Sequence, residues 1–216
     1  LTLTNFMYKL PYYHEEDEVI VKQFVRDHPF AFLSGVNANN EPVATQIPMF
    51  IDERDGKFFL SGHIMRNTDH HKAFEQNPNV LTVFTGPHTY VSATWYDNPY
   101  QASTWNFMSV HAKGTIRFGN DEELIAILKR LTLHYESGDT SSTTVFENLP
   151  DEYTSRIMKA IVAFEIEVTS LEHVFKLSQD RDEKSYDNIV SRLKTMEGDA
   201  KEIGTIMENR KSKVFK

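Results

Sequence analysis

Between Phe30 and His63 the chain reads FAFLSGV, NANNE, PVATQIPMFID, ERDG, KFFLSGH, and this stretch decides the fold. Three segments, 30–36, 42–52 and 57–63, read as strands. The connectors around Asn37–Glu41 and Asp52–Gly56 are rich in Asn, Asp and Gly, which tolerate the backbone angles a hairpin demands. Strands joined by such turns form an antiparallel meander.

Working outward, residues 15–28 read as a helix. Acids gather in its first turn, at the positive end of the helix dipole, and Pro29 stops it. Val21, Phe24, Val25 and His28 share one side. Residues 67–76 carry helical potential, and Val80–Phe84 reads as a buried strand. Gly86-Pro-His88 turns the chain into a further strand at Thr89–Ser92, and Tyr96–Ser103 is loop. Strands resume over 105–118, with Gly114 marking a bulge or a close approach. Glu122–Tyr135 is an amphipathic helix, 136–143 is flexible loop, and a short helix covers Asp151–Lys159. In Ile161–Leu171, Val162, Phe164, Ile166 and Val168 alternate with Ala163, Glu165, Glu167 and Thr169, a strand with one wet face. From Asp182 onward the chain is helical and highly charged.

So many antiparallel strands in one domain close on themselves, because open edges invite aggregation. The expectation is a mainly β architecture, a small antiparallel barrel with peripheral helices. Residues 7–181 form the barrel domain and 182–216 a helical extension packed on it. The six residues before Met7 carry too little pattern to specify structure and read as an upstream extension.

Composition narrows the functions. The 216 residues are 40% hydrophobic and 12% aromatic, enough to fill one core. Lys and Arg number 23 against 31 acids, a net −8, the wrong sign for wrapping nucleic acid by charge alone. Without cysteine there is no disulfide, thiolate nucleophile or Cys-based zinc site. No apolar run spans a bilayer and no secretory signal is visible, so a cytoplasmic protein is expected, with no membrane partner. Neither GxGxxG nor GxxxxGK[ST] occurs, nor do HExxH, GxSxG or an EF-hand loop.

Three segments carry chemistry. Leu60–Asp69 leaves a strand, crosses Gly62 and enters a helix, placing Ser61, His63, Arg66 and Asn67 beside fresh helix N–H groups. That combination suits a phosphate; a solvated strand–helix junction is the plain alternative. Gly86–Tyr96 and Ser103–Phe107 hold both tryptophans, Trp95 and Trp105, with Tyr90, Tyr96 and Phe107. Flat rings beside Ser, Thr and Asn can stack a planar ligand, or form a core layer or a dimer interface. Lys176-Leu-Ser-Gln-Asp-Arg181 places two cations in a turn, able to reach an anion or a flavin edge, or simply to end a strand. His70 and His71 are helix neighbours that do not share a face, and His63 and His111 sit on strands. The C-terminal helix mixes acids with Arg210, Lys211, Lys213 and Lys216 behind an apolar stripe, and reads as a solvated docking helix rather than a nucleic-acid-binding one.

Together these segments resemble the PaiB-like family of FMN-binding negative transcriptional regulators, which have a split β-barrel fold. The likeness begins at Met7-Tyr8 and Pro11 and runs through Thr45-Gln-Ile-Pro48, Gly62-His63 with Arg66-Asn67, and Gly86–Ser92 with Trp95-Tyr96. It continues in Thr104-Trp-Asn106, Val110-His-Ala112 with Gly114, Phe164–Glu167 and Lys176–Gln179. More distantly the layout is similar to the pyridoxamine-phosphate-oxidase superfamily, in which an Arg after a barrel strand holds the flavin phosphate; Arg66 matches it, and Ser61 and Asp180-Arg181 match further positions.

The resemblance implies FMN as cofactor. It implies flavin contacts from Gln46, Ile47, Pro48, Ser61, Gly62, His63, Arg66, Asn67, Trp105, Asn106, Lys176, Gln179 and Arg181. It also implies a homodimer with flavin at the subunit interface. DNA binding rests on the resemblance alone, since no helix-turn-helix signature is visible. The alternatives are an FMN-dependent oxidoreductase of the flavin reductase or oxidase type, or haem binding through His63 or His111. Two positions depart from the family. Asp180 stands where the motif usually has Asn, which disfavours a nearby phosphate unless Arg181 or Lys176 pairs with it. An extra residue separates Tyr8 from Pro11.

Overall fold

A computed structural model of the chain describes residues 10–98 and 100–215; the Met7-Tyr8 match and the extension before it lie outside them. The elements run α1 (Glu18–Asp27), β1 (Phe30–Val36), β2 (Pro42–Pro48), β3 (Phe50–Arg54), β4 (Lys57–Met65), α2 (Asp69–Gln76), β5 (Asn79–Val91), β6 (Thr104–Phe118), α3 (Asp121–Tyr135), α4 (Asp151–Ala160), β7 (Ile161–Lys176), α5 (Glu183–Lys194) and α6 (Asp199–Val214). The strands form one seven-stranded antiparallel sheet in the order β2-β1-β5-β6-β7-β4-β3.

The meander is present, with one difference. Residues 42–52, read as one strand, are two. Met49 is buried and donates its N–H to Pro29 O (2.9 Å), and the chain changes partner there from β1 to β4. The β3–β4 hairpin turns on Asp55 (φ 52°) and Gly56 (φ 71°), the left-handed pair a two-residue turn requires. A second difference is in β5, which runs unbroken through Gly86-Pro87-His88 where a turn was expected. The glycine there serves packing: a Cβ on Gly86 would sit 2.5 Å from the Phe24 ring. Gly114 is a close-approach point, since its Cβ would collide with Glu167 O. β7 continues past Leu171 to Lys176.

The described residues group into two compact units, with β5, β6 and β7 passing from one to the other along the chain. One takes Pro29–Val83 and Ala112–Leu171. It is centred on Leu33, Leu60, Phe74, Leu124, Phe164 and Ile166, all at most 2% exposed. Helix α3 starts at a capping box, Asn120 and Glu123 each accepting from the other's backbone N–H (3.0 Å both ways), and packs Leu124 and Leu128 on Ala163. The other unit holds the residues up to His28, 84–111 and those from Glu172 on. The C-terminal helices therefore share a core with α1 and part of the strands. Tyr186, fully buried, donates its hydroxyl to Met207 O (2.7 Å) and ties α5 to α6.

Helix α1 begins at Glu18, not Glu15. Asp17 is its N-cap, accepting from Val19 N (2.9 Å), and Glu15 lies buried before it.

Candidate functional site

The first unit carries the phosphate-type residues. β4 delivers Ser61, Gly62 and His63, then ends at Met65, and Arg66 and Asn67 form the turn into α2. Asn67 takes the left-handed conformation (φ 62°), which asparagine tolerates, and Thr68 caps α2 by accepting from His71 N (3.2 Å). Arg66 is half-buried and anchored twice to the end of α4: its backbone N–H donates to Ala160 O (2.8 Å) and its Nε to Ile161 O (2.8 Å). Among the described residues no carboxylate pairs with it, so the two terminal nitrogens keep their charge for an external acceptor. Asp69, the acid in the first turn of α2, is occupied locally by the N–H (2.8 Å) and ring (3.0 Å) of His70. The donors fit a phosphate: a fixed guanidinium, an asparagine and a helix N-terminus.

Gln46, Ile47 and Pro48 close β2, opposite Phe32, Ala31 and Phe30. Pro48 O lies 3.1 Å from where a Gly62 Cβ would be, so a glycine at 62 lets these two segments touch. His63 is held below its ordinary pKa by burial and stays neutral near pH 7.

Ser61 has different surroundings. Its hydroxyl is buried without a hydrogen-bond partner, and the residue borders a cavity of about 400 Å³ whose lining includes Asp52, Glu123 and Glu165. Carboxylates there oppose a phosphate dianion.

The second unit carries the remaining candidates. Asn106 is fully buried, accepting from Ser178 Oγ (3.0 Å) and donating to Met207 Sδ (3.4 Å). Gln179 turns both ends of its amide to its own turn, accepting from Leu177 N (2.6 Å) and donating to Phe175 O (2.6 Å). These two side chains hold the β7 exit in shape. Lys176 donates to Thr104 Oγ1 (2.5 Å) and lies over the Tyr13 ring.

Arg181 stacks on Tyr96, 4.7 Å from its centroid, donates to Gln101 Oε1 (2.5 Å) and meets Asp180 at 3.5 Å. The aspartate that departs from the family motif is thus paired with its neighbouring arginine. Arg181 Nε and Tyr96 OH are buried without partners. Burial, with Asp180 next, pushes the Tyr13 hydroxyl up, and burial does the same to Tyr96. Trp105 is exposed, edge-on to exposed Tyr90 (6.1 Å) and beside His88 (6.1 Å), a surface of rings rather than a core layer.

The residues missed in sequence are Arg54, Arg117 and Arg130 around the cavity, and Glu15. Arg54 was hidden inside a turn signal, and nothing local marks an arginine that pairs across strands. Among the described residues no cluster of three metal-ligating side chains occurs, and no helix is long and apolar enough to cross a membrane.

Known proteins resemble this chain in sequence and in fold. A family model described as "Putative FMN-binding domain" matches residues 7–170. The "Protease synthase and sporulation protein PAI 2" of Bacillus subtilis (strain 168) is 28% identical over 208 residues, covering 96% of this chain and 99% of its own. An uncharacterized protein of Emericella nidulans, AN0679, is 27% identical over 238 aligned positions, covering 91% and 95%. Among solved structures, the flavocytochrome Anf3 from Azotobacter vinelandii superposes with a TM-score of 0.56 at 18% identity, covering 84% of this chain and 78% of its own. The FAD and haem binding protein from Mycobacterium smegmatis gives 0.52 at 15%, covering 75% and 72%. These likenesses show the split β-barrel fold. By the family model and the ordered motifs, the chain belongs to the FMN-binding, PaiB-like family, with FMN as its cofactor.

Proposed function

We propose that the protein holds FMN by its phosphate at the β4–α2 turn and acts in the cytoplasm as a flavin-dependent regulator, in the form of a homodimer. The observation that carries this is Arg66: its Nε is fixed to Ile161 O while its terminal nitrogens meet no carboxylate among the described residues. A guanidinium so held is pre-organised for a charge-assisted contact. Asn67 adds a side-chain amide, and the first N–H groups of α2 add a favourable dipole. When bound, FMN supplies the redox chemistry of its ring; the chain's part is to orient it and exclude water.

A dimer is supported by apolar surface. Phe30 and Phe32 on β1 are 58% and 43% exposed, and on the other unit Trp105 is 54% exposed, large rings for a lone subunit to leave in water. The PAI 2 protein's name links it to protease synthesis and sporulation, and we carry over a regulatory role from it. Direct DNA binding through α6 is not favoured. Arg210 and Lys213 pair with Glu15, and Lys211 pairs with Glu183 and Asp187, so the basic end of the helix is spent inside the fold.

The test is a visible spectrum of freshly purified protein followed by an FMN titration. Flavin bands and saturable one-to-one uptake per subunit are expected; a colourless protein that quenches no FMN fluorescence contradicts the reading. Rapid bleaching by NAD(P)H with turnover identifies a reductase or oxidase, and a Soret band identifies haem instead.

A further inference from the structure

We propose that residues 14–17, just before α1, form an acid-released strap: a proton on His173 frees this segment from β7 and from α6. The inference stands apart from the flavin reading, and its test reads no flavin.

The first argument is the direction of one hydrogen bond. Glu15 N lies 2.9 Å from His173 Nε2. A backbone N–H can only donate, so Nε2 must offer its lone pair and the ring must be neutral. Protonation turns that acceptor into a donor and sets two N–H groups against each other. The His14 ring lies nearly flat on the same imidazole, with centroids 4.3 Å apart and planes 24° apart. Two imidazoliums stacked in this way repel.

The second argument is charge. The Glu15 side chain, 0% exposed, is gripped by Arg210 (2.6 Å) and Lys213 (2.5 Å) of α6. Two cations therefore already surround one buried carboxylate, and a proton on His173 adds a third. Among the described residues, the titratable groups that act on the His173 ring are His14 and Glu15, both on the strap; Arg210 and Lys213 reach it through Glu15. Burial first, and His14 second, outweigh the pull of Glu15 and bring the ring from 6.5 down to about 4. The released ring thus takes a proton that the held ring refuses. Closure is complete above about pH 6.5 and is lost as the pH falls toward 4.

The third argument is what the strap holds. Tyr13, at its head, is buried; Lys176 Nζ lies 5.8 Å from its ring centroid and Asp180 faces its hydroxyl. At the other end Asp17, the N-cap of α1, donates its N–H to Glu15 Oε1 (3.0 Å). Release therefore loosens the end of β7 and the start of α1 together. All of these residues belong to one compact unit.

Hydrogen–deuterium exchange of the full chain, followed by mass spectrometry between pH 7 and 4.5 and corrected for the intrinsic rate, tests this. Protection of a peptide spanning residues 13–19 is expected to fall by about tenfold per pH unit below about 6.5, and to recover on return to pH 7. A β4 peptide should keep its protection throughout. His173→Gln retains an acceptor but no titrating ring, and should make protection of the strap independent of pH. Imidazole nitrogen NMR of the parent needs no variant: Nε2 should be unprotonated at pH 7 and gain its proton in step with the loss of protection. The proposal is overturned if strap protection stays flat to pH 4.5, or if β4 loses protection in parallel. It is equally overturned if His173→Gln keeps the slope, or if His173 titrates without the strap opening.

Discussion

Glu15, with no exposed side-chain surface, accepts a 2.6 Å hydrogen bond from Arg210, tying the segment before α1 to the last turns of α6. Lys213 adds a second contact (2.5 Å) and Asp17 N a third (3.0 Å). Burial alone would raise the pKa of this carboxyl; the bonds from Lys213, Asp17 and Arg210 outweigh it and bring the value from 4.5 to about 2. A depressed folded-state pKa gives stability that is complete above the unfolded value and lost as pH falls toward 2. Glu15→Gln should therefore destabilise the protein by about 3 kcal/mol at neutral pH, with the deficit shrinking in acid. Urea denaturation at pH 7 and pH 3 measures both.

His173 gives a second, higher window. Its Nε2 accepts from Glu15 N (2.9 Å), and its ring stacks on His14 at 4.3 Å. Burial first, and the neighbouring His14 second, pull its pKa from 6.5 down to about 4. Between those values the unfolded chain takes up a proton that the folded one refuses, so stability should fall as pH drops from about 6.5 to 4. His173→Gln should flatten that part of a thermal-melting profile; an unchanged slope would show that another group carries it.

Much of the fold could be read from the sequence because its signals are local. The turn at Asp55-Gly56 and the alternation of Val162, Phe164 and Ile166 depend on neighbours in the chain. What could not be read depends on distant packing. Gly86 looked like a turn because nothing nearby shows that the Phe24 ring needs its missing Cβ. Glu15 looked like one acid of a helix start, and its partners lie nearly two hundred residues away. At the site, Arg66 was legible because strand, arginine and helix start are consecutive. The two roles of Gln179, closing its own turn at Leu177 and Phe175, were not.

Gly114 tests the close approach inside the sheet. A Cβ there meets Glu167 O and the Ile166 side chain, and backbone cannot swing aside. Gly114→Ala should cost about 2 kcal/mol or more, while Gly138→Ala, which meets no atom but has a positive φ, should cost less. Equal losses would mean that the strands can separate there freely.

The cations of α6 give a test of DNA contact. Lys211 is shared by Glu183 (3.0 Å) and Asp187 (2.7 Å). Lys211→Gln should loosen α5 from α6 but leave anisotropy of a labelled duplex unchanged at low salt. A clear drop in DNA affinity, together with a steep salt dependence, would assign the helix to nucleic acid.

The central claim is that Arg66 holds the flavin's phosphate. The direct measurement is a pair of fluorescence titrations, FMN and phosphate-free riboflavin, on the parent and on Arg66→Ala. The parent should prefer FMN, and the variant should lose about 1.5–3 kcal/mol of FMN binding while riboflavin binding stays the same. Equal FMN affinity in both proteins, or an equal loss for both ligands, would contradict it.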